Sequence, residues 1–289
     1  MKSRPQTALL AILLGILCAA SASSQKRASD VLRPFEPVEM LVYEAEFSRA
    51  LLRKVDVADF RLSASRPSLL RKAADNSGRV PDELILTCDV VSKGFFAKLF
   101  GLKFRETLKS TADPVSLAVH TSKRVDEQGK RMRSSEAIFD LERGKVAWTE
   151  RDPNSPGREP RVVKGEFTGL VYDILSSIYF LRTQPLTVGK NLELVISDSG
   201  QVYKVPVRVL ERKRLKTVLG RVDALLIEAD LFGPRGMLDG EGKFFIWFTD
   251  DARRIPVAVK IKSEYGTFDI KLKKLSTNPA DPEYLSKQE

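Results

Sequence analysis

The chain reads as a mainly β protein: a curved antiparallel sheet or incomplete barrel with one principal α-helix packed on its concave face. Three observations predict this. Apolar residues recur at period two along most of the chain, the pattern of strands with one face on a core and one in water. Turn clusters such as Glu127-Gln128-Gly129-Lys130 and Asp198-Ser199-Gly200 interrupt that rhythm and reverse the chain. One segment, Gly169 to Thr183, instead carries apolar residues at helical spacing on nearly every side. A single, largely buried helix in a strand-rich chain has to lie against a curved sheet or inside it.

The 289 residues suffice for one large core or two modest ones, and 43% hydrophobic with 30% charged residues is a globular composition. A net charge of +10 favours anionic partners of no particular class. Two cysteines and one histidine leave little material for thiol, zinc or imidazole chemistry, so neither metal nor cofactor is expected.

Lys2 and Arg4 precede an apolar run from Thr7 to Ala20, followed by the small residues Ala20-Ser21-Ala22. This is the pattern of a secretory signal peptide over residues 1–22. As a helix the run would span only about 21 Å, short of a hydrocarbon core of about 30 Å. Leu17 ahead of Cys18 does not fit a lipidation site, where a small residue is normal. An exported protein of the periplasm or envelope is the expectation. Cleavage leaves Cys88 as the one cysteine, so no internal disulfide is expected, and places it on the apolar face of a strand with Leu84, Leu86 and Val90.

Residues 23–37 form a polar lead-in, 38–276 a single β-rich domain, and 277–289 a polar tail. Glu39 to Ser48 is the first strand, with Leu41, Tyr43, Ala45 and Phe47 on one side. Val55 to Ser63 and Leu84 to Ser92 follow, separated by the Asp75-Asn76-Ser77-Gly78 turn. Lys93 to Phe104 breaks the alternation. Its Phe95, Phe96 and Phe100 share a helical side with Lys98 outside them, which suits a plug on the core or a segment dipping into an anionic membrane surface. Strands resume at Phe104, with Val115, Leu117 and Val119 alternating, Arg131 to Phe139 returning, and Val146 and Trp148 beyond the Arg143-Gly144 turn. Asp152 to Pro160 is a proline-rich surface loop. After the helix, which Pro185 ends, strands recur at Leu192 to Ile196, Val202 to Leu210 and Val218 to Leu231. The basic stretch Glu211 to Lys216 is expected at a solvated hairpin tip; an export signal argues against nucleic acid. The last element, Lys243 to Lys273, holds three strands in succession: Phe244, Ile246 and Phe248; then Ile255, Val257, Val259 and Ile261; then Phe268, Ile270 and Leu272.

Three motifs in order resemble a known family: Asp173 to Arg182, Pro185 to Gly189, and Ile246 to Pro256. They are similar to bacterial exported proteins of the domain of unknown function 3108 family. That family joins a serine-bearing helix ending in Arg, a Pro…Gly step into a strand, and a Trp-x-Thr-Asp-Asp segment before Ile-Pro. The resemblance runs from about Glu39 to Leu275, with Phe95–Leu102 and Asp152–Pro160 as departures. It implies an envelope location and a β-rich fold, and it brings no catalytic residues.

Asp250 and Asp251 are the obvious acid pair. Adjacent residues in a turn point different ways, however, and Arg253 and Arg254 would keep both ionised. A turn held by side-chain hydrogen bonds is the plainer reading, and the spacing of a calcium loop is missing. His120 has no serine or cysteine motif to complete a triad. Arg182 can satisfy the last carbonyls of its helix, or pair with Asp250 or Asp251 across the core. Arg182, Asp250, Asp251 and Pro256 are therefore structural candidates, with no catalytic group among them. The leading expectation is a non-enzymatic envelope protein that binds a lipid or other apolar ligand between sheet and helix, lined by Ile174, Ile178, Phe244 and Trp247. The alternative is a structural or protein-interaction module of the envelope with a filled core.

Overall fold

The computed structural model describes residues 33–70, 81–93 and 103–278. The signal peptide expected over residues 1–22, the turn expected at 75–78, the segment bearing Phe95, Phe96, Lys98 and Phe100, and the tail from 279 onward lie outside the described residues. The chain divides into Met1–Arg33 and Pro34–Glu289, and the fold below is that of the second unit.

The first half supplies β1 (Val38–Arg49), β2 (Leu52–Ser65), a short α1 (Pro67–Leu70), β3 (Leu84–Ser92), β4 (Phe104–Ala112), β5 (Val119–Gln128), β6 (Arg131–Asp140), β7 (Lys145–Arg151) and β8 (Arg161–Glu166). The second half supplies α2 (Ile174–Thr183), β9 (Asn191–Asp198), β10 (Gln201–Thr217), β11 (Gly220–Ala229), β12 (Gly242–Thr249), β13 (Pro256–Ser263) and β14 (Gly266–Ser276). All fourteen strands form one antiparallel sheet in the order β8-β7-β6-β5-β4-β3-β2-β1-β14-β13-β12-β11-β10-β9. Each half is a run of hairpins, and β1 joins them by pairing with β14, Met40 opposite Ser276 and Phe47 opposite Phe268.

The sheet does not close by hydrogen bonds; its two ends overlap. On β9 and β10, Leu194, Ile196, Val205 and Val207 enter the main core. Val195 and Val202, on the other face, pack against Val146, Trp148 and Val163 of β7 and β8. Glycine makes this overlap possible. A Cβ at Gly165 would stand 2.5 Å from the Gly200 carbonyl oxygen, and one at Gly200 2.9 Å from Trp148 Cβ. The free edge of β9 is in turn partnered by Tyr172, whose N–H donates to the Val195 carbonyl at 2.9 Å in a parallel bridge.

Helix α2 fills the concavity. Leu175, Tyr179 and Leu181 share one core with Leu84 and Leu86 of β3, Leu108 of β4, and the inward residues of β9–β12. The helix thus contacts two limbs of the sheet that lie far apart in strand order. Each such apolar side chain contributes about 1.5–3 kcal/mol when fully buried.

Four expectations need correction. The alternation at Val115–Val119 is not a strand: Asp113 Oδ1 accepts from the N–H groups of Val115 and Ser116 at 3.1 and 2.6 Å, and Leu117 turns at φ +62°. Helix α2 begins at Ile174, not Gly169, because Tyr172 is held in its bridge to Ile196. Glu211–Lys216 is not a hairpin tip. β10 runs on to Thr217, paired with β11 from Glu211↔Leu226 to Thr217↔Gly220, while Leu215 packs beside Trp247. Phe35, placed by sequence in the lead-in, is fully buried with its ring edge-on to Tyr179 at 4.9 Å.

Candidate functional site

The helix that organises the interior is fixed at both ends by its own sequence. Asp173 is the N-cap, and its Oδ1 accepts from the Ser176 N–H at 2.8 Å. Ser176 Oγ accepts from the Asp173 N–H at 3.0 Å, which completes a capping box. The second carboxylate oxygen accepts from Ser110 Oγ of β4, so the cap is also tied to the sheet. Ser176 and Ser177 are therefore buried and satisfied locally; Ser177 Oγ donates to the Ile174 carbonyl at 2.8 Å.

At the other end Arg182 is 2% exposed and grips Glu39 of β1 in a two-pronged pair, Nη1 to Oε1 at 2.5 Å and Nη2 to Oε2 at 2.8 Å. Its Nε and Nη2 also donate to the Arg253 carbonyl at 3.3 and 3.2 Å. Phe35 and Tyr179 stack on the guanidinium, both 5.1 Å from its carbon. Burial would lower the pKa of Arg182, but the Glu39 carboxylate reverses this and holds it above its ordinary value. Burial also drives the Tyr179 hydroxyl far upward, with the Glu39 charge adding to it. The partner expected for Arg182 was Asp250 or Asp251; the structure replaces it with Glu39 and touches the turn only through the Arg253 carbonyl.

The two aspartates hold the turn itself. Asp251 Oδ1 accepts from Thr249 Oγ1 at 2.7 Å and from the Arg253 and Arg254 N–H groups at 3.0 and 3.1 Å. Burial pushes the Asp251 pKa up, yet the Thr249 and backbone hydrogen bonds outweigh it and keep the carboxyl below its ordinary range. Asp250 pairs with Arg212 at 2.6 Å. Pro256, next along, receives the Tyr43 hydroxyl on its carbonyl at 2.7 Å. The motif from Trp247 to Pro256 is thus a structural clasp on β1 and α2. His120 sits at the start of β5, 3.9 Å from Glu83.

Between α2 and β9–β13 lies a cavity of about 320 Å³. Ile174, Ile178 and Leu181 line it from the helix, and Val207, Phe244 and Ile261 from the sheet. Met237 and Leu238, from the loop between β11 and β12, cover one side. Ile174 is 37% exposed, and beside it the wall turns polar with Arg124 and Asp198, joined at 3.0 Å. Arg124 Nε also meets Glu106 at 3.2 Å. Of the four residues expected here, Ile174, Ile178 and Phe244 are brought together. Trp247 is not. Strand alternation turns it to the outer face, where it borders an open groove of about 520 Å³ with Leu215, Val218 and Lys260. Three lysines of that groove are engaged by carboxylates, Lys260 by Asp269 at 3.0 Å, Lys271 by Glu46 at 2.9 Å and Lys273 by Glu44 at 2.6 Å.

Sequence reasoning missed Glu39, Arg124 and Asp198. Glu39 left a signal, since it stands in register with Leu41, Tyr43 and Ala45 on the apolar face of its strand. A carboxylate there demands a buried cation. Arg124 and Asp198 are distant in sequence and left none. Among the described residues no group of three or more His, Cys, Asp or Glu side chains is placed to hold a metal ion.

The model of the family "Protein of unknown function (DUF3108)" matches residues 70–273. The chain belongs to this family. The motifs that marked the resemblance are, in this DUF3108 member, the cap, the buried arginine and the turn that clasps it. No curated protein matches the chain. Among solved structures, a β-barrel-like protein of domain of unknown function DUF1849 from Brucella abortus superposes with a TM-score of 0.53, at 10% identity over 85% of this chain and 98% of that one. At that identity the likeness is one of fold. A DUF1089 family protein from Pseudomonas aeruginosa gives a TM-score of 0.32 at 12% identity, over 73% of this chain and 92% of that one, too loose to bear on the fold.

Proposed function

We propose that this protein is a non-enzymatic component of the cell envelope that binds a lipid or other apolar ligand between helix α2 and the sheet. The observation that carries this reading is the cavity of about 320 Å³ walled by Ile174, Ile178, Leu181, Val207 and Phe244. Its size falls at the lower end of the range for small-molecule sites, about 300–1,000 Å³. Apolar walls with a few polar groups at one end suit an amphipathic molecule. The engagement of Asp250 and Asp251 in turn-forming hydrogen bonds and ion pairs supports a non-enzymatic role, because both carboxylates are already occupied by partners within the protein. Export rests on Lys2, Arg4 and the apolar run to Ala20. The alternative, an envelope module acting only through its surface, would need a filled interior, and the open volume speaks against it.

Mass spectrometry of extracts from protein purified out of a bacterial envelope tests this. A near-stoichiometric lipid is expected, and Ile178→Trp, which fills the cavity, should reduce its yield about tenfold or more. Lipid-free wild-type protein, or an equal yield from the tryptophan variant, would sink the proposal.

A further inference from the structure

Three connections of the sheet emerge side by side at one end of it. Ser48 of β1 lies opposite Thr267 of β14, so the β1–β2 turn adjoins the β13–β14 turn. Gly242 of β12 lies opposite Ser263 of β13, which brings the β11–β12 loop to the same end. There a Cβ on Gly240 would stand 2.7 Å from Glu264 Oε1. Each connection carries a large side chain out of the fold: Leu51 is 99% exposed, Tyr265 64% and Leu238 40%. Exposed apolar residues scattered singly are ordinary on a protein surface; three on neighbouring tips mark that end.

The turn that presents Leu51 is fixed by its own backbone. Ala50 before it and Lys54 after it have φ of +48° and +52°, left-handed values that residues other than glycine rarely take. The Lys54 N–H donates to Ser48 Oγ at 3.0 Å. Strain of this kind persists only where the surroundings over-determine the backbone. Cations flank the apolar tips. Arg49, Arg53 and Lys54 are exposed and make no ion pair among the described residues, and Lys262 is exposed beside the second turn. Against these four stand two carboxylates, Asp56 and Glu264. The β11–β12 loop adds charges of both signs, Arg235 with Asp239 and Glu241. A protein partner would need a continuous surface of about 1,000 Å². Separate side chains on protruding turns suit a bilayer better. There leucine enters the acyl boundary, tyrosine sits at headgroup depth, and lysine and arginine are drawn to anionic lipid.

We propose that this end of the sheet docks on an anionic membrane, with Leu51 and Tyr265 inserted between headgroups that Arg49, Arg53 and Lys54 contact. Because Leu238 also lines the cavity between α2 and the sheet, docking sets the cover of that cavity against the bilayer. The docking does not rest on the cavity holding a ligand, and an empty cavity would leave it intact.

Tryptophan fluorescence tests it, with the protein mixed with vesicles of phosphatidylglycerol and phosphatidylethanolamine brominated along their acyl chains. Emission is read as the difference from the wild type, which has Trp148 and Trp247. The indole added by Leu51→Trp should shift to the blue and be quenched by the bromines. Tyr265→Trp should behave alike, and so serves if the leucine variant misfolds. Ile138→Trp, 56% exposed on β6 and away from this end, should do neither. Arg53→Glu with Lys54→Glu, added to Leu51→Trp, should raise the lipid needed for half-maximal quenching about tenfold or more. Brominated phosphatidylcholine in place of the anionic mixture should raise it likewise. No quenching at Leu51→Trp and Tyr265→Trp, equal quenching at Ile138→Trp, or indifference to both changes of charge would overturn the docking. A blue shift that appears without vesicles and grows with protein concentration would overturn it in favour of a second copy of the chain.

Discussion

Arg182 is the residue on which the interior converges. A guanidinium at 2% exposure is stable only because Glu39, two aromatic rings and the Arg253 carbonyl together replace its water. The pair is therefore expensive to break and cheap to exchange. Arg182→Ala and Glu39→Ala should each cost about 3–5 kcal/mol, since each strands the opposite charge in the core. The double change Arg182→Met with Glu39→Leu should recover most of that loss. Urea denaturation of the four proteins checks both statements; singles within 1 kcal/mol of wild type would contradict the first. The pairing also explains why sequence reasoning named the arginine correctly and its partner wrongly. The aspartates are near the motif in the written sequence, but Glu39 is 143 residues away and is delivered only by the β1–β14 pairing.

At the scale of elements, α2 is short, ten residues, and owes its position to the cap and to packing more than to propensity. The Asp173 carboxylate serves two donors, the Ser176 N–H and Ser110 Oγ, while the Asp173 N–H donates to Ser176 Oγ in the reciprocal bond of the capping box. Asp173→Ala should therefore cost about 2–4 kcal/mol, the sum of a lost cap and a buried Ser110 hydroxyl without an acceptor. Asp173→Asn should cost less, because an amide oxygen can still cap. Thermal melts of the two variants decide it, and equal losses would show that the charge, and not the acceptor geometry, holds the helix. Strand identities were legible from alternation alone in β1 and β12–β14. The extension of β10 was not, because Glu211–Lys216 carries charge on both of its faces and its pairing comes entirely from β11.

Across the whole molecule, ion pairs fasten the sheet at its centre. Glu44 of β1 meets Lys273 of β14 at 2.6 Å and also Lys93 just past β3. Hydrogen bonds from Lys273 and Lys93 hold its carboxyl down at about 2, and Arg66 does the same for Asp82, also to about 2. A carboxylate whose folded pKa is depressed lends stability above its ordinary value, near 4.5 for Glu44, and loses it as pH falls toward the folded value. The melting temperature should therefore decline between about pH 5 and pH 2. Glu44→Gln should flatten that decline while lowering the plateau at neutral pH. Parallel melting curves for the two proteins across this range would rule the linkage out.

Period-two alternation, one helical segment and a set of turn clusters sufficed to specify a β-rich chain wound about a single buried helix, because these are local patterns written in neighbouring side chains. The same patterns placed Ile174, Ile178 and Phe244 on inward faces. The overlap of the sheet's two ends, the Glu39 partner of Arg182 and the Arg124–Asp198 rim were decided by the tertiary structure. Each joins residues brought together only when distant strands take their register: alternation marks Glu39 as a carboxylate on an apolar face, but only the folded sheet makes Arg182 its partner.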